Sequence, residues 1–300
     1  TVSVRAATDG LEADAVAEGL GFLNVHYFPA GATVFGAEAR GAYEYEGASY
    51  AGRFVHYEGF DECAECHDPH GLDVTAEACG VCHDEVASGE DLRAIRTSRV
   101  DFDGDGDTEE GIAGEIETVY EALYAAMQAY AEEVVGTPLV YDEHTYPYFF
   151  IDTNGNGRPD PDETAYANGY NAWTPRLLKA AYNYQYATKD PGAYTHNGPY
   201  ILQVLYDSLA DVGIAENIMK QIPVALDDGD YDKVMELARK AEKQAEDAKK
   251  LATSVMNRAT WRPSAWAPTI SQPVRSGCCS PSSRATAAAD KPCTNTVVTI

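Results

Sequence analysis

The pentapeptide C-x-x-C-H occurs twice between residues 63 and 83, as "CAECH" and "CGVCH", and constrains this chain more than any other feature. Two thiols at that spacing add across the vinyl groups of one haem, and the histidine after them is close enough to become an axial ligand of its iron. The motifs therefore assign Cys63, Cys66 and His67 to one haem c, and Cys79, Cys82 and His83 to a second. With the histidines set aside, the same cysteines approach the spacing of a four-thiolate zinc ribbon or a redox dithiol. A ribbon has no use for a histidine after each cysteine pair. The intervening "DPHGLDVTAEA" also lacks the strand alternation and glycine knuckles of a ribbon, so haem is the favoured reading.

A chain of 300 residues has room for one large or two ordinary domains. Its 48 acidic and 22 basic residues give a formal net charge of -26, which argues against a nucleic-acid partner and against anionic membrane surfaces. No run of apolar residues is long enough to span a membrane. The sequence opens "TVSVRAATDG", without an initiator Met or an export signal, so a processed chain or a fragment is expected. Covalent haem requires maturation outside the cytoplasm, and a periplasmic or extracellular location follows. Cys278, Cys279 and Cys293 lie far from the motifs. A bond from one of the adjacent pair to Cys293 is the expected intramolecular option.

The expected fold is mainly α: an irregular, haem-templated N-terminal domain followed by a helical domain with calcium-type loops. Residues 1–100 read as the dihaem domain, with a hairpin near residues 42–57. Residues 101–225 read as the helical domain. There Ile116, Val119, Tyr120, Leu123, Met127, Tyr130 and Val134 fall on one helical face ended by Gly136 and Pro138. Thr174 and Pro175 cap and open a second helix, and "NGPYILQVLYDSLADVG" forms a third, stopped by Gly213. Residues 226–259 hold a long charged helix with an alanine-rich stripe, and residues 260–300 a tail whose composition predicts disorder.

"DTNGNGRPDPDE" matches the calcium loop D-x-[DN]-x-[DN]-G-x5-E at each specified position. Asp152, Asn154 and Asn156 present side-chain oxygens, Gly157 permits the sharp turn, and Arg158 offers its carbonyl. Asp160 acts through water, and Glu163 closes the shell. "DFDGDGDTEEGI" is a partial echo, with Asp101, Asp103 and Asp105 in place but Ile112 at the closing position. Either Glu109 or Glu110 substitutes there, or the acids cap the following helix.

Five histidines remain once His67 and His83 are taken. The four methionines lie in helical stretches away from the motifs, so histidine is expected on both sides of each iron. His56 and His70 are the favoured distal ligands, with His26 third. His196 is a candidate ligand to a haem outside this chain.

The blocks "NVHYFPAGATVFG", "GRFVHYEGFDECAECHDPH", "YNAWTPRLLKAAYNYQY" and "KDPGAYTHNGPYILQVLYDSL", together with the calcium loop, resemble the C-terminal part of large secreted multihaem c-type cytochromes of environmental bacteria. The likeness covers roughly residues 15–215. It implies electron transfer, often respiratory and extracellular, with a redox partner protein or other haem subunits. The expected function is a dihaem electron carrier rather than a catalyst. A haem reductase with one open iron near His70 or His144 is one alternative, and a zinc- and calcium-stabilised extracellular binding module is another.

Overall fold

The computed structural model describes residues 2–57, 60–71 and 73–213. The charged helix expected over 226–259, the tail and its three cysteines lie outside the described residues. The protein is mostly helical, with a two-stranded sheet.

The apolar stripe read from the sequence becomes α5, Ile112–Tyr130, extended by a single π-helical turn at 131–135. Its inward face is fully buried at Val119, Leu123, Met127 and Tyr130, while Ile116, Tyr120 and Val134 pack at the margin of the same core. Gly136 ends the run in the left-handed region, at φ 76°, where a side chain would be strained. Helix α6, Pro175–Thr188, starts as its residues dictate: the Thr174 hydroxyl accepts the Leu177 N–H, and Pro175 occupies a position that needs no donor.

Helix α7, Ala193–Val212, begins earlier than the sequence suggests and is two segments joined at a kink. Asn197 leaves the helical region, at φ -170° and ψ 73°, and its Oδ1 accepts the Tyr200 N–H at 3.2 Å. It thereby acts as an N-cap inside the run, while Pro199 supplies no donor there. One short turn bearing His196 thus projects from the start of the main helix.

Helices α5, α6 and α7 pack together around Trp173, Tyr130, Tyr200 and Phe149. Each such fully buried side chain contributes about 1.5–3 kcal/mol relative to exposure. The antiparallel strands β1, Leu139–Tyr141, and β2, Phe149–Ile151, pair Val140 with Phe150 and cover one side of this core. Elsewhere Arg176 ties Asp14 near the N-terminus, at 2.6 Å, to Asp211 on α7.

Residues 42–57 form no strand, contrary to the expected hairpin. Their backbone groups pair with amide side chains of the helices instead. Asn183 Oδ1 accepts the Tyr43 N–H at 2.7 Å, and its Nδ2 donates to the Tyr43 carbonyl at 2.9 Å. Gln203 accepts the Ala51 N–H, Gln185 accepts the Val25 N–H, and Asn197 donates to the Gly52 carbonyl. These amides take the place of a neighbouring strand, and the apolar alternation that suggested a hairpin reflects a chain lying along helices. The segment before the haem motifs is therefore held by protein. It does not stand apart as an irregular region of its own.

Candidate haem and cation sites

The first cysteine pair occupies one helical turn, and the second runs from the last residue of another, Cys79, to Cys82 in the turn that follows. Helix α3, Cys63–Cys66, carries a capping box in which Glu65 accepts the Asp61 and Glu62 N–H groups. Helix α4, Ala76–Cys79, ends in the second pair. Both motifs close alike: the His67 N–H donates to the Cys63 carbonyl at 2.8 Å, and the His83 N–H to the Cys79 carbonyl at 2.9 Å. The Thr75 N–H donates to the Cys66 carbonyl, so the second turn starts where the first one ends.

The histidines opposite these turns come from distant parts of the chain. The His67 ring lies 6.3 Å, centre to centre, from the His196 ring. The His83 ring lies 6.1 Å from the His56 ring. A metal–imidazole bond is about 2 Å long and a ring centre lies roughly 1 Å behind its nitrogen, so an iron between two imidazoles separates their centres by about 6 Å. The four residues therefore fit two bis-histidine centres.

His196 Nδ1 lies 2.7 Å from Asp190 Oδ1, and Asp190 is 3% exposed. A carboxylate at Nδ1 fixes the ring and leaves Nε2 as the nitrogen available to a metal. The kink at Asn197 aims this turn, and the Asn197 amide grips Gly52, four residues before His56. One junction thus carries both of the imidazoles that face the motif histidines.

The other histidines are placed differently. His70 is exposed on a turn in which Asp68 Oδ1 accepts the His70 and Gly71 N–H groups. His26 is exposed with its ring 4.5 Å from that of Tyr27, beside exposed Phe28. His144 lines an open cleft of about 700 Å³ with Tyr120, Tyr141 and Asp190, into which no C-x-x-C-H residue projects. Sequence reasoning favoured His70 and sent His196 outside the chain. The fold brings His196 to His67, and Asp190 escaped notice because nothing in "KDPGAYTH" marks an acid that folds back on His196.

Among the described residues, Cys63, Cys66, Cys79 and Cys82 form no disulfide. Among the described residues no three of their sulfurs converge as a tetrathiolate zinc centre requires. Burial pushes the Cys66 and Cys79 thiols up, opposite to the lowered pKa of a redox-active pair.

The loop at 152–163 has the hydrogen-bond frame of its motif. Asp152 accepts the Gly155 and Gly157 N–H groups, Asn154 Oδ1 that of Asn156, and Asn156 Oδ1 that of Arg158. Buried Glu163 accepts the Thr153 N–H at 2.7 Å and that of Asn154 at 3.2 Å. Asp160 accepts from both asparagine amides, which lower its pKa. In the loop beginning at Asp101, burial raises the Asp103 and Glu115 carboxyls. Burial, with the charges of Asp103 and Glu115 beside it, raises Glu110 to about 7. Glu110, named from the sequence as a possible closing residue, lies with Asp103 and Asp105, whereas Glu115 lies outside the twelve-residue pattern and does not follow from it.

Two C-x-x-C-H turns, each facing a second imidazole, offer donors of the kind that hold haem c. Such donors recur in multihaem c-type cytochromes. The chain is similar to proteins of that class. It is 29% identical, over a 242-residue alignment covering 68% of the chain, to the C-type polyheme cytochrome OmcC of Geobacter sulfurreducens, and equally to OmcB of the same organism. The alignment covers 28% of OmcC and 29% of OmcB, so the chain spans under a third of the length of these curated relatives. The resemblance seen in the sequence blocks is thus found in known proteins. No family model matches the chain, and no solved structure does.

Proposed function

We propose that this chain is a dihaem unit of a multihaem c-type cytochrome that carries electrons outside the cytoplasm. The observation that carries the reading is the pair of imidazole separations, 6.3 and 6.1 Å, each joining a C-x-x-C-H histidine to a histidine from elsewhere in the chain. In this reading His196 is the distal ligand of the haem on Cys63 and Cys66, and His56 that of the haem on Cys79 and Cys82. His196 is thus used within the chain, while exposed His26, with Tyr27 and Phe28, is left to face a haem or redox partner outside it.

The haem iron, when bound, supplies the ferric/ferrous couple. The work of the chain is positional. Cys63, Cys66, Cys79 and Cys82 would hold the haems through thioether bonds, the paired histidines would supply nitrogen to each iron, and Asp190 holds His196 in one tautomer. The bond from Thr75 to the Cys66 carbonyl keeps the two attachment turns adjacent, which favours direct outer-sphere transfer between them. The acidic surface and carboxylates such as Asp190 favour the ferric state and low potentials. A calcium ion in the 152–163 loop is structural in this reading and pins the crossing that follows β2.

The test is a pyridine haemochrome spectrum of protein expressed with export and cytochrome c maturation, with iron and zinc counted on the same sample. Two haem c and two irons per chain are expected. A chain without haem, holding zinc on its four motif cysteines, would overturn the proposal.

A further inference from the structure

The partial loop beginning at Asp101 repeats the 152–163 loop bond for bond. Asp101 accepts the Gly104 and Gly106 N–H groups at 2.6 and 3.0 Å, as Asp152 does those of Gly155 and Gly157. Asp103 accepts from Asp105, and Asp105 from Asp107, as Asn154 and Asn156 do from the corresponding residues. The glycines at the fourth and sixth positions have positive φ in both loops. Glu163 is matched as well: Glu115, three residues beyond the usual closing position and fully buried on α5, accepts the Phe102 and Asp103 N–H groups at 2.6 and 2.7 Å.

The frame alone would be a turn that satisfies itself. A separate feature points to a ligand. Asp103 is 7% exposed, and its Oδ2 is buried without a hydrogen-bond partner. The Asp103 carboxylate faces into the cluster, since carboxylate oxygens of Asp101, Asp103 and Glu115 lie within 4.8 Å of one another, as do those of Asp103, Asp105 and Glu110. Glu110 Oε1 is likewise buried and unpartnered. Among the described residues the cation at the cluster is Arg96, whose Nη2 is 2.5 Å from Glu115 Oε1, and a single guanidinium does not offset five carboxylates. A buried carboxylate oxygen without a donor or counter-charge is costly.

We propose that Asp101, Asp103 and Asp105, closed by Glu115 from α5 and flanked by Glu110, form a second calcium site that clamps the end of the haem-bearing segment to the helical core. Oxygen-only donors of this number suit calcium, which accepts six to eight ligands in irregular geometry, better than magnesium, which demands a near-ideal octahedron. The clamp role follows from what adjoins the site. Arg96 also bonds the Ser98, Val100 and Glu110 carbonyls, the Ile112 N–H donates to the Ile95 carbonyl, and Arg93 pairs with Glu117 on α5. An ion there fastens residues 91–103, directly after His83, to the first turns of α5.

The test is equilibrium dialysis of radioactive calcium against the full-length haem-loaded protein stripped with chelator. Glu163→Gln silences the 152–163 loop, so the remaining binding reports the new site alone. That variant should keep one ion per chain, and adding Asp105→Asn or Glu115→Gln should weaken it at least about tenfold, because affinity follows ligand charge. Asp105 is exposed, so its variant decides the matter if Glu115→Gln fails to fold. No calcium on Glu163→Gln, or binding indifferent to both second substitutions, would overturn the site. A wild-type chain with a single ion that survives Glu163→Gln would uphold the site and remove calcium from the 152–163 loop.

Discussion

Replacing Asp190 with asparagine keeps the shape of the side chain and removes one buried negative charge from behind His196. The retained amide oxygen still accepts from Nδ1, so ring orientation is preserved and the charge is the main change. Asp190 Oδ1 is 2.7 Å from His196 Nδ1, and its side chain is 2% exposed. An imidazole width and a metal–nitrogen bond add about 2 Å each, which holds the charge about 7 Å from an iron on Nε2. At an effective dielectric constant of about 20, that interaction is about 2.4 kcal/mol in favour of the ferric state. For a one-electron couple this corresponds to roughly 100 mV, an upper figure because water at the ring edge screens part of it. Asp190→Asn should therefore raise the midpoint potential of one haem by about 50–100 mV and leave the other nearly in place. Spectroelectrochemical titration of wild type and variant reads both midpoints. If neither moves, or if the affected one falls, the reasoning that ties Asp190 through His196 to an iron is refuted.

Two further expectations concern the scaffold. Asn183→Leu strands the Tyr43 N–H and carbonyl, bonded at 2.7 and 2.9 Å, and removes a donor from the Ser208 hydroxyl, which keeps its own bond to the Val204 carbonyl. It should cost roughly 3 kcal/mol, read as a lower midpoint in guanidinium unfolding, and an unchanged midpoint would count against the amide latch. Burial raises the Glu44 carboxyl above its ordinary value of 4.5, opposed by Tyr200 and Arg40. An acid that holds its proton more tightly when folded loses stability as pH rises above the unfolded value, so Glu44→Gln should flatten the decline in stability that sets in as pH rises above 4.5. A decline of equal slope in the variant would assign it to other groups.

What the sequence disclosed and what it hid divide along physical lines. The C-x-x-C-H turns were legible because covalent attachment fixes their spacing, and α5 because a buried face must recur with the helical period. Thr174 and Pro175 announced α6 through donors that a helix start leaves unpaired. The hairpin of β1 and β2 was missed because strands of three residues carry too little alternation to register. The amide latches were missed because Asn183 and Gln203 read as ordinary polar helix residues, and their partners lie some 140 and more residues away. The same distance concealed the approach of His196 to within 6.3 Å of His67, whereas His70, adjacent to a motif, lies on an exposed turn. Glu115 escaped because closure of the first acidic loop comes from a helix turn beyond the twelve-residue pattern.

The most direct test of the account is the spin state of the ferric irons, read by electron paramagnetic resonance on wild type, His196→Ala and His56→Ala. The account predicts two low-spin haems in the wild type, one of them turned high-spin by each substitution, and a different one in each case. A high-spin haem in the wild type, or low-spin signals indifferent to both substitutions, would contradict the assignment of these histidines and with it the closed, electron-carrying centres proposed for this chain.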